Sequence, residues 1–140
     1  MKFFTIGYGG RKPDDLVGLL SDAGVRTVAD VRLRPDRSSM GAYAKARTAD
    51  KGIEHLLSSH GIGYRSLPEL GNIFLDFADW EERYATFIYR AGDLLVTRLE
   101  ELEKPVCLLC AERRVADCHR LLIAQFLVSR GYEVEHLDTV

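Results

Sequence analysis

The sequence contains no long apolar run and few cysteines. Its apolar stretches fall far short of the ~20 residues that a membrane-spanning helix needs, and the stretch within the first seven residues is too short for a signal peptide. Three cysteines, Cys107, Cys110 and Cys118, are too few and odd in number for the disulfide framework of a small secreted protein. We therefore predict a cytoplasmic protein in a reducing compartment, with no membrane partner.

The sequence also lacks an excess of charge of one sign. The formal net charge is −2 at pH 7 and the pI is about 6.1, which argues against strong non-specific binding of nucleic acid. The charges are unevenly distributed, however, because residues 1–65 are net basic and residues 66–140 are net acidic. Arginine supplies 14 of the 19 cations, and its planar guanidinium suits phosphate and carboxylate better than lysine does. Local arginine clusters are therefore more informative than the total charge.

Strand and helix patterns alternate along the chain. The 140 residues, 46% apolar and 29% charged, are typical of one globular domain. Strands are predicted at 3–6, 27–31, 62–67, 106–110 and 133–137, and helices at 13–23, 53–60, 80–88, 93–102 and 118–130. Because parallel strands need long crossovers, we predict a single three-layer α/β domain over residues 1–140. Its sheet is expected to be mostly parallel, with about five strands and helices on both faces.

Polar and reactive residues follow the predicted strands. In sheets of this kind, ligands bind beyond the carboxyl ends of the strands, so residues at these positions are the candidates for a functional site. The candidate substrate-binding residues are Tyr8, Gly9, Gly10, Arg11, Arg32, Arg34, Glu69 and Arg120, and the candidate catalytic residues are Asp30, Cys110, Glu112, Cys118 and His119. We expect all of them on one rim of the sheet.

The segment from Cys110 to Arg120 is the densest in such residues. Asp117 is the natural N-cap of the following helix, which would place Cys118 and His119 in the first turn, where the helix dipole favours a thiolate. Glu112 and His119 are suited to general acid–base catalysis. Two chemistries stay open: Glu112 with Asp30 as an acid–base pair for glycosidic-bond cleavage or transfer, and nucleophilic attack by Cys118.

Structural interpretations compete with these roles. Asp30 and Arg32 lie two residues apart on one face of a strand end and could form an ion pair that fixes the rim. Cys118 could be a small apolar residue under the helix. Cys107 and Cys110 are spaced as C-x-x-C, but a strand turns them to opposite faces, so we do not predict a redox pair.

Two further chemistries are judged from spacing. Cys110, Cys118 and His119, with His136, could bind zinc, although their spacing matches none of the common zinc patterns. A phosphatase-like or rhodanese-like anion loop needs an arginine six residues after its cysteine. Alanine stands at positions 116 and 124, which excludes that loop in its usual form.

Four motifs together resemble a known bacterial and archaeal family. They are Thr5–Arg11 (TIGYGGR), Asp30–Arg32 (DVR), Leu67–Gly71 (LPELG), and Cys110–Glu112 (CAE) with Cys118–Arg120 (CHR). The chain is similar over almost its whole length to the "domain of unknown function 488" family. The resemblance implies that the rim residues are signature positions, and it implies no established reaction. The loop after Arg34 is less regularly basic than the family pattern.

From these observations we predict an enzyme, a hydrolase or transferase using acid–base or thiol chemistry. Its substrate is expected to be a small anionic ligand, a nucleotide or a nucleic-acid-derived molecule, because arginines and reactive groups share one rim. The alternatives are a non-catalytic nucleic-acid-binding module and a structural zinc protein. No cofactor is predicted, and the oligomeric state is left open.

Overall fold

Five strands alternate with four helices in the computed structural model, which describes residues 1–137. The elements are β1 (Lys2–Gly7), α1 (Pro13–Asp22), β2 (Thr27–Asp30), α2 (Gly52–Ser58), β3 (Gly63–Ser66), α3 (Trp80–Glu100), β4 (Val106–Cys110), α4 (Arg120–Ser129) and β5 (Glu133–His136). Three short 3-10 turns, Gly41–Tyr43, Pro68–Leu70 and Val115–Asp117, lie in the connections. Every predicted strand is present within one residue of its expected bounds.

All five strands are parallel, in the order β3-β2-β4-β1-β5. The register pairs Gly7 with Cys110, and Asp30 with Leu109. Since parallel strands end at the same edge, the connections that follow β1, β2 and β4 begin side by side. The predicted fold class, an α/β protein with a parallel sheet, is confirmed.

The sheet lies between two pairs of helices. On one face, α1 and α2 bury Leu16, Leu20, Ile53 and Leu57 against β1, β2 and β4. On the other face, α3 and α4 bury Tyr84, Ile88, Phe126 and Leu127 against the same strands. All five residues of β4 are buried, as expected of a central strand covered on both sides.

Neighbouring strands lead into helices on opposite faces. β1 and β2 are followed by α1 and α2 on one face, whereas β3 and β4 are followed by α3 and α4 on the other. Because β4 lies between β2 and β1 in the sheet, the chain leaves β4 on the side opposite to both neighbours. The connections therefore diverge to opposite faces at the carboxyl ends of the central strands, which is where α/β sheets bind their ligands.

The third helix is longer than expected. The sequence predicts two helices, 80–88 and 93–102, but α3 continues from Trp80 to Glu100 through Gly92. Glycine disfavours helix interiors, and its role here is packing, because a Cβ at position 92 would lie 2.6 Å from the Phe126 ring of α4. None of the helices within residues 1–137 combines the length and the apolar character that crossing a membrane requires.

The last helix begins later than expected. The sequence predicts Asp117 as N-cap, but residues Val115–Asp117 form a 3-10 turn and Cys118 is extended, with φ −124° and ψ 144°. The α-helix begins at Arg120, with His119 at the N-cap position. Cys118 and His119 therefore precede the first turn, and the side chain of His119 turns inward to the end of β2.

Candidate functional site

A cleft of about 500 Å³ lies at the carboxyl edge of the sheet. Its walls come from the connections after β1, β2, β3 and β4. The lining residues are Tyr8, Arg32, Leu33, Arg34, Arg37, Asn72, Ile73, Leu75, Asp76, Cys110, Ala111, Glu112, Asp117, Cys118 and His119. Seven residues predicted from the sequence are thus brought together: Tyr8, Arg32, Arg34, Cys110, Glu112, Cys118 and His119.

A buried ion pair fixes Arg32 in this cleft. Asp30, at the end of β2, is fully buried, and its Oδ1 and Oδ2 accept hydrogen bonds from Arg32 Nε (2.9 Å) and Nη2 (2.7 Å). Asp30 Oδ2 also accepts the hydroxyl of Tyr64 from β3 at 2.5 Å. Burial opposes the charge of Arg32, but the hydrogen bonds and charge of Asp30 prevail and raise the pKa of Arg32. Burial and the carboxylate likewise raise the pKa of Tyr64.

Tyr8 connects this ion pair to the first connection. Its hydroxyl oxygen accepts a hydrogen bond from Arg32 Nη1 at 3.2 Å, and the guanidinium carbon lies 5.1 Å from the centre of the Tyr8 ring. The ring packs on Tyr43, with centroids 4.6 Å apart. Tyr43 donates its hydroxyl to the carbonyl oxygen of Arg11 at 2.7 Å, and burial raises its pKa to about 12. Packing against Tyr43 therefore holds the ring of Tyr8 in place in the cleft wall.

The connections after β1 and β4 lie against one another. Beyond the strand ends, the N–H groups of Tyr8 and Gly9 donate to the carbonyls of Cys110 (3.1 Å) and Ala111 (2.9 Å). A Cβ at Gly7 would lie 1.8 Å from the carbonyl oxygen of Glu112. Glycine at position 7 is therefore required by this close approach.

The buried side chain of Arg120 fixes the backbone of the connection after β4 through hydrogen bonds. The side chain is fully buried, and Nη1 and Nη2 donate to the carbonyls of Glu112 (2.7 Å) and Arg113 (3.2 Å). Its Nε donates to the hydroxyl of Thr5 at 3.2 Å. Arg120 therefore holds the backbone of the cleft wall, and it does not line the cleft.

His119 ties the start of α4 to the end of β2. Its Nε2 lies 2.9 Å from the carbonyl oxygen of Val31 and, since a carbonyl only accepts, carries the proton. Its ring packs edge-on against Tyr84, with centroids 5.1 Å apart. Burial, aided by the nearby charge of Arg120, lowers the pKa of His119 to about 4. The imidazole is therefore neutral at pH 7, with Nδ1 3.6 Å from the sulfur of Cys118.

Cys110 and Cys118 are joined by a disulfide, so the free Cys118 thiolate expected from the sequence is not present in the structure. Both line the cleft. Cys107 is buried among residues of the opposite face of the sheet, whereas Cys110 belongs to the α3–α4 face. The C-x-x-C spacing therefore has the alternating orientation predicted for a strand.

Exposed charged and apolar side chains form the open part of the cleft. Arg34 is exposed and pairs with Asp36 at 3.3 Å, and Arg37 and Glu112 are exposed as well. Leu33, Ile73 and Leu75 are 40%, 63% and 66% exposed, which is unusual for large apolar residues in one cleft. Sequence reasoning missed this apolar wall, although the apolar residues between Asn72 and Asp79, outside any helical pattern, were a usable signal.

Several predicted rim residues lie outside the cleft. Glu69 forms an ion pair with Arg98 of α3, with Oε2 and Nη1 3.1 Å apart. Arg11 turns away and donates to the carbonyls of Gly7 (2.8 Å) and Leu137 (3.3 Å). Gly9 and Gly10 shape the first connection, and Asp30 and Arg120 act beneath the surface. Tyr64, which shares the carboxylate of Asp30, was not predicted.

The zinc hypothesis named Cys110, Cys118, His119 and His136. In the structure, His136 Nδ1 lies 2.6 Å from the hydroxyl of Thr5, and the two cysteines are bonded to each other. Within residues 1–137, no group of three or more His, Cys, Asp or Glu side chains is arranged to hold a metal ion.

The parallel sheet, its two helical layers and the cleft at the carboxyl edge define a doubly wound α/β protein. Within this class, the chain belongs to the family described as "Domain of unknown function DUF488", whose model matches residues 12–127. The resemblance predicted from the four motifs is thereby confirmed. No match was found among curated proteins or among solved structures.

Proposed function

We propose that the protein is an enzyme that binds a small anionic ligand, a nucleotide or a nucleic-acid-derived molecule, in the cleft at the carboxyl edge of the sheet. The observation that carries the proposal is the composition of this one cleft. It combines Arg32, Arg34 and Arg37 with the exposed carboxylate of Glu112 and an apolar wall. Such a convergence of polar groups in a concave site is the usual mark of a ligand-binding or active site.

The arginines supply the anion-binding part. Arg34 and Arg37 are exposed, and a guanidinium can bind two oxygens of a phosphate at once. Arg32 is held by Asp30 in a single orientation, with Nη1 on the hydroxyl of Tyr8. Arg32 is thus a buried, fixed cation beneath two exposed ones, an arrangement that suits an anionic group bound at the floor of the cleft and neutralised at its rim.

The apolar wall argues for more than a free phosphate ion. Leu33, Ile73 and Leu75 expose large side chains beside the arginines. A ligand that contacts both the arginines and the apolar wall needs an anionic end and an apolar or planar body. A nucleotide has this division between its phosphate and its base.

Glu112 is the best candidate for the chemistry. Its carboxylate is exposed to the cleft, while its backbone is fixed by Arg120 Nη1 at 2.7 Å. The oxygens of Asp30 already accept side-chain donors from Arg32 and Tyr64, so we assign Asp30 to positioning Arg32. The sulfur of Cys118 is bonded to Cys110. General acid–base catalysis by Glu112 in a hydrolysis or transfer reaction is therefore the favoured mechanism.

Binding is tested by titration calorimetry with AMP, GMP, CMP, UMP and inorganic phosphate. We expect at least one nucleotide to bind better than phosphate, and Arg37→Ala to weaken it about tenfold, equivalent to about 1.4 kcal/mol. Arg90→Ala, an exposed arginine of α3 outside the cleft, is the matched control and should bind as the native chain does. Equal affinities of the two variants, or no binding of any nucleotide below about 1 mM, would refute the proposal.

Catalysis is tested on whichever nucleotide binds, by following its conversion with NMR. Glu112→Gln should lose conversion and keep affinity within about threefold, because the amide preserves shape but cannot exchange the proton. Glu101→Gln, an exposed position at the end of α3, is the control. A bound nucleotide that the native protein leaves unchanged would contradict the enzyme assignment and favour the non-catalytic nucleic-acid-binding module.

A further inference from the structure

We propose that Cys110 and Cys118 are a redox-reactive pair in the cleft wall, oxidised by low-molecular-weight disulfides and reduced by dithiols. The two sulfurs are bonded although eight residues separate them in the sequence. One lies at the end of β4 and the other just before α4, so the fold itself brings them together. This proposal does not depend on the identity of the cleft ligand.

The pair borders the cleft. Each cysteine is almost fully buried, and each lines the cleft. A small disulfide or dithiol that enters the cleft therefore lies against both cysteine residues. Structural disulfides enclosed in a core lack such a position.

N–H donors converge on both sulfurs. Arg120 Nη1 lies 3.2 Å from the sulfur of Cys110, and the backbone N–H of Arg120, the first residue of α4, donates to the sulfur of Cys118 at 3.4 Å. A cation and a helix-start N–H stabilise a thiolate over a thiol. The thiolate is the reactive form in disulfide exchange, so these contacts favour reactive rather than inert cysteines.

His119 offers a hydrogen-bond acceptor to the thiol of Cys118. Its Nε2–H is bonded to the carbonyl of Val31, so Nδ1 is the unprotonated nitrogen of the neutral ring, and it lies 3.6 Å from the sulfur of Cys118. In the reduced protein, the thiol of Cys118 can donate to Nδ1. The geometry thus favours Cys118 as the attacking sulfur.

The exchange conserves atoms and electrons with glutathione as reactant. The sulfur of Cys118 attacks oxidised glutathione and forms a mixed disulfide, and the departing glutathione thiolate takes up the proton of the Cys118 thiol. Cys110 then attacks the sulfur of Cys118 and displaces the second glutathione, which takes up the proton of Cys110. Two protein thiols are oxidised, and one disulfide is reduced to two thiols. A dithiol reduces the Cys110–Cys118 disulfide in two exchanges: one of its thiols forms a mixed disulfide with a cysteine and releases the other as a thiol, and its second thiol then closes the dithiol's own disulfide and releases the second cysteine.

The test uses the full chain, first reduced with dithiothreitol and then exposed to oxidised glutathione without denaturant. Intact mass should fall by two hydrogens, and peptide mapping should show Cys110 linked to Cys118. Dithiothreitol under native conditions should restore the original mass. Cys107→Ala should behave like the native chain, because Cys107 lies on the other face of the sheet.

Single variants identify the attacking sulfur. Cys110→Ser should stop at the mixed disulfide and gain one glutathione, and Cys118→Ser should gain it at least tenfold more slowly. Circular dichroism confirms that each variant is folded. An unchanged mass of folded native protein after oxidation, or a disulfide that resists dithiothreitol until the protein is denatured, would overturn the proposal. These readouts are independent of nucleotide binding, so the two proposals fail separately.

Discussion

Protonation of His119 should make stability depend steeply on pH. The imidazole is 7% exposed and packs against the ring of Tyr84, so the protonated form would have to remain charged in an apolar setting next to Arg120. Burial, the largest effect, and this neighbouring charge lower the pKa of His119, and carbonyl contacts only partly oppose them. His119→Gln removes the titration and keeps a side-chain N–H near the carbonyl of Val31.

The magnitude follows from the difference between the two states. The pKa of His119 falls from 6.5 in the unfolded chain to about 4 in the folded protein, so between these values the unfolded state binds more protons. The stabilising contribution is therefore complete above pH 6.5 and is lost as pH falls towards 4. At about 1.4 kcal/mol per pKa unit, the loss between pH 7.5 and pH 4.5 amounts to about 2–3 kcal/mol.

Urea unfolding at a series of pH values measures this contribution. The free energy of unfolding of the native chain should fall by about 2–3 kcal/mol more than that of His119→Gln between pH 7.5 and pH 4.5. Taking the difference cancels the other titrating groups, which both proteins share. His55→Gln, an exposed histidine of α2, should behave like the native chain. Parallel loss of stability in the native chain and in His119→Gln would refute the reasoning.

Two further substitutions test the framework of the cleft. Gly7→Ala should destabilise the protein by at least about 2 kcal/mol, because the new Cβ would overlap the carbonyl oxygen of Glu112 in the connection after β4. Gly18→Ala, where nothing lies within 4 Å of the new Cβ, should stabilise it by about 0.5–1 kcal/mol. Melting temperatures that shift in the same direction for both variants would contradict this. Asp30→Asn should cost about 3–5 kcal/mol in urea unfolding, because Arg32 loses its buried counter-charge. Asp93→Asn, in an exposed ion pair, should leave the midpoint unchanged, and an equally small effect of Asp30→Asn would show that Arg32 does not depend on its partner.

The strands and most helices were predictable because each is fixed by a local pattern. The break predicted between the two parts of α3 was wrong. Gly92 lies inside this helix because a side chain there would overlap the ring of Phe126, which is 34 residues away in the sequence. Helix propensity is a weak preference that tertiary packing overrides. The start of the last helix was misplaced for a similar reason, since His119 is turned inward by its contact with Val31 at the end of another strand.

Position after a strand predicted some of the residues that line the cleft. Tyr8, Arg32 and Glu112 do meet in one cleft, because all strands are parallel and end at one edge. The directions of side chains were not predictable, since they depend on partners distant in the sequence. Glu69 follows a strand, yet its side chain pairs with Arg98. Arg32 and Tyr64 both bind the carboxylate of Asp30 because β3 lies beside β2, and this strand order cannot be read from one sequence.

The alternation of strand exits has a consequence for how this cleft can diverge. The wall carrying Arg34 continues into α2, and the wall carrying Glu112 continues into α4, on the far side of the sheet. An insertion in one wall therefore extends over its own helical layer without displacing the other. Either segment can therefore change in length while the five strands keep their register.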